Sequence, residues 1–332
     1  MNKRTTISDV ANYLSINKST VSRAINNPNR VSKELHARVI QACNKLNYIP
    51  NVAAKTLASS SSKSILLVVP SFTNTVFPEI ISATKLKCEA LGYNLLVGDS
   101  EYTELGEEKI VKDFLSRNVD GFIFTETIHS WGTVELIKNS ACPAVEIMDI
   151  IKEPTFDANF GVDQSEAATE LTSYLISKGR KNIAFCSTWL DHRAMLRKEA
   201  WSECLQKAGL DNHRVINIKH KTSFQSGADA LRQILHSWPE TDAVFFVNDD
   251  MAAGAIMQCQ RHGISVGKEL DIVGFNDLDY AAVINPRLTT IRTPRVEMAE
   301  LAVETLVNLL EGKSVEIVKQ KIPYKLIIRE SA

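Results

Sequence analysis

The 332-residue chain is predicted to fold as an N-terminal all-α helix-turn-helix head followed by an α/β core of two parallel-sheet subdomains. Three observations carry that prediction. Two short amphipathic segments fill residues 6–26, four serines run from Ser59 to Ser62, and beyond them strand-length apolar runs alternate in two series with helix-length amphipathic stretches.

In the first segment Ile7, Val10, Ala11 and Leu14 fall at i, i+3, i+4 and i+7, one side of a helix, and Thr6 with Asp9 forms a capping box. Ser15, Ile16 and Asn17 break the pattern. Asn17 can cap a second helix over 18–26, in which Val21, Ala24 and Ile25 turn inward while Lys18, Ser19, Ser22 and Arg23 face out. A third helix starts at Ser32, carries Leu35, Val39, Ala42, Cys43 and Leu46 on one side, and ends at Tyr48-Ile49-Pro50. A plain helical hairpin with a solvated face would share this spacing, so charge has to separate the two readings. Residues 1–63 hold ten Lys or Arg against Asp9 and Glu34, a formal +8, whereas the rest of the chain carries −9. The overall −1 therefore conceals a basic head on an acidic body, as expected when only the head meets phosphate.

Residues 51–58 are long enough for one or two helical turns, which in water form only against a partner, and the serines after them make a tether. Expected strands at 65–69, 94–97, 121–124 and 144–147 are separated by helices such as 79–91 and 104–117. A second series at 183–186, 215–218, 243–247 and 272–275 is interleaved with helices such as 166–177 and 227–236. Ligands of such sheets bind beyond the carboxyl ends of the strands, so the natural site is the cleft between the two subdomains.

Several functional classes are disfavoured. No run of 18 apolar residues exists to span a membrane, and the basic N-terminus MNKRTTISDV lacks the apolar segment of a secretory signal, so a cytoplasmic protein is expected. The six cysteines, at 43, 88, 142, 186, 204 and 259, show no CxxC pair and no histidine at zinc-ligand spacing. They read as free thiols, with no metal or cofactor. No GxSxG, GxxxxGK[ST] or HExxH motif marks an enzyme.

The segments Thr6-Ile7-Ser8-Asp9-Val10-Ala11, Ser19-Thr20-Val21-Ser22-Arg23, Tyr48-Ile49-Pro50-Asn51, Asn248-Asp249, Gly274-Phe275-Asn276-Asp277, Leu288-Thr289-Thr290-Ile291 and Ile327-Ile328-Arg329-Glu330-Ser331 stand in an order that resembles the LacI/GalR family of bacterial repressors. The resemblance spans essentially the whole chain. It implies a homodimer on a palindromic operator in double-stranded DNA, a hinge helix, and a periplasmic-binding-protein-like core that senses a small molecule. The implied division is a head over 1–50, a hinge helix and linker over 51–63, and a core over 64–332. Within the core, an N-subdomain takes about 64–161 and 292–323, and a C-subdomain about 162–291 and 324–332. Chain crossings are implied near Gly161-Val162, Ile291-Arg292 and Pro323-Tyr324.

By the same resemblance Lys18 and Ser19 read base edges, with Arg23 one turn further on, where arginine can bond a guanine bidentately. Thr6, Thr20, Ser22 and Asn26 are implied phosphate positioners, Thr20 and Ser22 being equally open to simple helix packing. Asn51, Ala54 and Lys55 are implied hinge contacts, and Leu57 an apolar wedge in the minor groove. The implied effector contacts are Ser71, Thr73, Asn74, Phe77, Thr125, Glu126, Asp149, Arg193, Arg197, Phe224, Asn248 and Asn276. Asn276 stands where many relatives have an aspartate, and losing that charge beside Arg193 and Arg197 favours an anionic ligand. Pro-Ser-Phe-Thr-Asn at 70–74 with Phe77, Thr125-Glu126-x-x-His129 and Val145-Glu146-x-Met148-Asp149 are similar to the gluconate and idonate utilisation repressors, which implies a sugar acid. Because Glu126 and Asp149 would suit hydroxyls rather than an acid, a neutral sugar or a corepressor stays open. His129, Glu146 and Met148 each have a structural reading beside the functional one. A sugar-binding transport protein and a sugar-acid enzyme are the more distant alternatives.

Overall fold

The computed structural model describes residues 5–50, 61–188, 192–219, 221–315 and 318–332, which divide into two units at 1–62 and 63–332. The expected hinge contacts Asn51, Ala54, Lys55 and Leu57 lie outside the described residues.

The first unit packs helices α1 (Ile7–Leu14), α2 (Lys18–Asn26) and α3 (Lys33–Lys45). Thr6 and Asp9 close a reciprocal capping box at the start of α1, the Thr6 amide donating to the Asp9 carboxylate at 2.8 Å. Ser15, left-handed at φ 55°, ends α1, and its amide donates to the Ala11 and Asn12 carbonyls. Asn17 does stand at the N-cap of α2, but its side chain makes no capping bond, contrary to the expectation. Its backbone carbonyl instead accepts the Thr20 and Val21 amides, so α2 is held mainly by packing. Val21 and Ala24 are buried with Val10, Ala11, Val39, Ala42 and Cys43, while Ile25 is half-buried against the same core. Full burial of a valine such as Val21 contributes about 2 kcal/mol, a large share of the stability of so small a unit. His36 adds a polar tie, its Nδ1 lying 2.9 Å from the Ala24 carbonyl oxygen.

In the second unit the apolar runs become strands; the inner ones, Gly121–Phe124, Ala144–Asp149, Ile183–Thr188 and Ala243–Phe246, are buried on both faces as a parallel sheet requires, while the edge strands Asn94–Asp99 and Val215–Ile218 are only partly covered. The first series gives β1 (Ser64–Val69), α4 (Phe77–Ala90), β2 (Asn94–Asp99), α5 (Glu104–Leu115), β3 (Gly121–Phe124), α6 (Trp131–Ser140), β4 (Ala144–Asp149) and β5 (Ala158–Val162). The second gives α7 (Gln164–Ser177), β6 (Ile183–Thr188), α8 (His192–Lys207), β7 (Val215–Ile218), α9 (Phe224–Ser237), β8 (Ala243–Phe246), α10 (Asp249–His262) and β9 (Asp271–Val273). The chain closes with β10 (Thr290–Arg292), α11 (Arg295–Leu310), β11 (Lys319–Lys321) and β12 (Lys325–Ile327).

The larger sheet has the order β11-β5-β4-β3-β1-β2, the smaller β7-β6-β8-β9, and all pairings in both are parallel. Strand alternation sorts β1 between two cores: Leu66 and Val68 join Val111 of α5 and Ile137 of α6, whereas Ile65, Leu67 and Val69 join Phe77 of α4 and Met298 of α11. A separate antiparallel ribbon pairs β10 with β12.

β2, β4 and β6 each run two residues past their expected ends, and two further features depart from the expected strands. β5 and β11 extend the first sheet, β11 arriving from a sequence position far from its partner. β9 stops at Val273 rather than residue 275, because the backbone turns into Asn276 and Asp277 at φ 116° and 54°, which a ladder does not hold. Gly274 permits that turn: a Cβ there would lie 2.3 Å from the buried Asp249 carboxylate oxygen. Helices α9 and α10 also approach through glycines. A Cβ on Gly254 would stand 1.8 Å from the Phe224 carbonyl oxygen, and one on Gly227 1.9 Å from that of Met251.

Candidate effector cavity and DNA-reading face

Elements from both sheets converge on one cavity, lined by Ser71, Thr73, Asn74, Val76, Phe77, Tyr102, Met148, Thr188, Arg193, Arg197, Lys221, Thr222, Val247, Asn248 and Asn276. Most of these residues lie at or just beyond the carboxyl ends of β1, β2, β4, β6, β7, β8 and β9. After β1, a turn is locked by its own side chains: the Thr73 amide donates to Ser71 Oγ at 3.1 Å, and Asn74 Oδ1 accepts the Val76 amide at 3.1 Å. Asn74 Nδ2 also donates to the Tyr102 hydroxyl at 2.8 Å, joining the loops after β1 and β2.

Arg197 is held as a rigid fork. Its Nε and Nη2 donate to Gln164 Oε1 at 2.9 and 2.7 Å, its Nη1 donates to the Val247 carbonyl at 2.7 Å, and its guanidinium lies 3.6 Å from the Phe275 ring centroid. Gln164 Nε2 then donates to the Met148 carbonyl at 3.1 Å, linking α7 to the end of β4. Asn248 caps α10 by accepting the Met251 amide, which fixes its side chain at the cavity wall. Met148 and Asn276, both lining the cavity, have φ of 86° and 116°. Such conformations cost about 1–3 kcal/mol each and persist only where surrounding contacts impose them. The Asn276 amide donates to the Ile291 carbonyl at 2.8 Å, and its carbonyl accepts from Arg295.

Of the expected effector residues, Ser71, Thr73, Asn74, Phe77, Arg193, Arg197, Asn248 and Asn276 come together on this lining. Four others do not line it. Thr125 is fully buried, its hydroxyl donating to the Val68 carbonyl. Glu126 turns to Arg193, its Oε1 accepting from Nη2 at 2.5 Å. Asp149 is buried at the end of β4, where its carbonyl accepts from Asn159. Phe224 opens α9 and packs on Tyr280, their ring centroids 5.3 Å apart.

His129 and Glu146 also stand apart from the cavity. His129 places Nδ1 2.8 Å from Glu107 Oε1 and Nε2 3.2 Å from Glu146 Oε1, against the stacked rings of Phe124 and Phe156. Burial opposes its charge, but hydrogen bonds that the protonated ring donates to Glu107 and Glu146 outweigh that and push its pKa up to about 9. That motif is therefore a buried ion cluster in the larger sheet's layer. The lining residues that sequence reasoning missed are Val76, Tyr102, Thr188, Lys221, Thr222 and Val247, and Met148, left open between a core and a functional reading, also lines the cavity. Their common signal is position near the carboxyl end of a parallel strand, a rule that could have found them.

The cavity volume is about 30 Å³, room for no more than a water or two. A larger groove of about 700 Å³ lies between Thr75, Glu79, Asp277, Tyr280, Arg292, Arg295 and Arg329. Its arginines are ion-paired within the chain, Arg292 and Arg329 sharing Asp277 at 2.6 and 2.7 Å and Arg295 meeting Glu79 at 2.5 Å. In the small cavity Arg193, Arg197 and Lys221 enter the wall, Arg193 being paired with Glu126 from outside the lining, and no carboxylate lines it among the described residues.

In the head, Lys18, Ser19, Arg23 and Asn26 are exposed along one face of α2, with Thr20 and Ser22 half-buried beside them. Asn26 Nδ2 donates to Ser22 Oγ at 3.3 Å. Thr6 is exposed at the α1 N-terminus, where helix amides and dipole favour an anion.

This combination of a small helical head and a two-sheet core has close relatives. Residues 6–51 match the family described as bacterial regulatory proteins, lacI family, and residues 172–332 match the periplasmic binding protein-like domain. The chain is 35% identical to the HTH-type transcriptional regulator GntR of Escherichia coli K12, with 94% of each chain covered. The chain belongs to the LacI family. It is also 30% identical to the regulator IdnR of the same organism, over 94% of this chain and 93% of that one. The crystal structure of the Lac repressor dimer bound to operator and the anti-inducer ONPF superposes with a TM-score of 0.85 at 25% identity, covering 99% of both chains. LacI-family proteins are DNA-binding transcriptional regulators rather than enzymes, and that is the class of this chain. Among its described residues, no helix is long and apolar enough to cross a membrane, and no group of three His, Cys, Asp or Glu could hold a metal ion.

Proposed function

We propose that this LacI-family regulator represses transcription as a homodimer and that its cavity binds a sugar acid of the gluconate or idonate type, which alters operator affinity. The observation that carries the effector class is the charge of the lining. Three cations and a set of hydroxyl and amide groups, with no carboxylate among the described lining residues, suit one anionic group and several hydroxyls. The relatives named for GntR and IdnR support the same class. Because the cavity is far smaller than a hexonate, ligand entry requires the halves at about 64–161 with 292–323 and 162–291 with 324–332 to part and reset. Differential binding to the two arrangements then biases the hinge.

The effector class is tested by thermal unfolding with D-gluconate, L-idonate and D-glucose, beside a turnover assay. A sugar acid at a hundred times its Kd should stabilise by about 2.7 kcal/mol without forming product. Equal stabilisation by glucose would contradict an acid-selective site.

On the DNA side, Arg23 is the exposed residue of α2 best suited to bidentate base contact. Arg23→Ala should weaken specific binding by about 1–3 kcal/mol per half-site and leave effector binding unchanged. Binding to operator and random duplexes would check this, since an equal loss on both would make Arg23 a phosphate contact.

A further inference from the structure

One cation at the cavity wall, Arg193, already holds an anion supplied by the protein itself. Arg193 rises from the start of α8, beyond β6 of the smaller sheet, and is only 3% exposed. Its Nη1 donates to the Thr125 carbonyl at 2.8 Å and its Nη2 to the Glu126 carboxylate at 2.5 Å. Thr125 and Glu126 follow β3 of the larger sheet, so this charged pair ties one sheet's layer to the other beside the cavity. Glu126 itself does not line the cavity, and its side chain keeps 20% of its exposure.

We infer that Glu126 is a tethered stand-in for the effector's carboxylate, which it must yield to before a sugar acid can engage Arg193. This rests on the sugar-acid reading of the cavity and goes beyond it by naming the residue that sets affinity and selectivity. Two physical consequences follow from the geometry. While Glu126 holds Arg193 the two layers stay joined and the cavity keeps its volume of about 30 Å³, so ligand entry and release of this pair are one event. A second cross-link on the Thr75 side, where Oγ1 donates to Asp250 at 2.7 Å, involves no cation and offers an entering acid nothing to exchange with. Secondly, an acid can replace Glu126 with an equivalent charge-assisted bond. A neutral sugar offers only a hydroxyl, which recovers less than the bond it displaces. Glu126 thereby excludes neutral sugars by a competing interaction rather than by shape.

The test is isothermal titration of full-length wild type, Glu126→Gln and Glu126→Asp with D-gluconate and D-glucose. Removing the competing charge should tighten gluconate binding about tenfold in Glu126→Gln and make glucose binding measurable, with Glu126→Asp falling between it and wild type. If wild type binds gluconate and Glu126→Gln binds it equally or more weakly, Glu126 merely positions Arg193. The stand-in role is then overturned, while the sugar-acid reading survives. If neither wild type nor Glu126→Gln binds any sugar acid, that reading falls and this inference with it.

Discussion

Arg197→Ala should lose effector binding by about two orders of magnitude while keeping operator affinity. Arg197 is 5% exposed, and its guanidinium bonds in two directions, to Gln164 on one side and the Val247 carbonyl on the other, above the Phe275 ring. Truncating a buried hydrogen-bonded cation of this kind costs about 2–5 kcal/mol of binding. Arg197→Lys should not restore it, because an ammonium cannot reproduce a planar fork stacked on an aromatic face. Stability should fall as well, since the Val247 carbonyl and Gln164 Oε1 would each lose a donor, at about 1–3 kcal/mol per group left unsatisfied. Titration of effector and operator on the same preparation separates these effects. Loss of operator binding along with effector binding would remove Arg197 from an effector-specific role.

Stability should decline as pH rises from neutrality through about 9, and His129 is the cause. Its folded pKa of about 9 lies above the unfolded value of about 6.5. Its stabilisation is therefore fully present below about pH 6.5 and lost progressively as pH rises through about 9. Each tenfold gain in proton affinity on folding is worth about 1.4 kcal/mol, so the loss is roughly 3 kcal/mol. The side chains of His129, Glu107 and Glu146 are at most 4% exposed, so solvent screens the cluster little. His129→Gln should cost about 3–5 kcal/mol at pH 7, because Glu107 and Glu146 would share a buried site without their counter-charge. Urea unfolding at intervals from pH 6.5 to 9.5 should show the gap between wild type and variant narrowing. A gap independent of pH would mean that His129 is neutral in the folded protein.

These expectations differ in how far the sequence alone could have reached them. The head was legible almost residue by residue, because helix spacing and the Thr6–Asp9 box are local signals. Asn17 was misread only in its side chain, since residue type identifies a cap position but not the bond made there. In the core, apolar runs located β1, β3 and β7 closely, yet β11 beside β5 depends on a pairing between distant segments that no local pattern encodes. The site divides in the same way. Asn248 and Asn276 stand in recognisable motifs and reach the cavity, as does Arg197, which the resemblance implies, whereas the positive φ of Met148 and Asn276 is not announced by residue type. Glu126 and His129 belong to one short motif, but their partners Arg193, Glu107 and Glu146 are fixed by tertiary packing, which assigns one residue to the cavity's arginine and the other to a buried cluster.

A sugar acid bound in the cavity should control the hold of the head on DNA. The most direct test is fluorescence anisotropy of a selected operator duplex bound by the full-length protein, titrated with D-gluconate and, in parallel, with D-glucose at fixed ionic strength. Operator affinity should change saturably with gluconate, stay unchanged with glucose, and lose the gluconate response in Arg197→Ala. An operator affinity unmoved by sugar acids, or moved equally by glucose, would contradict it.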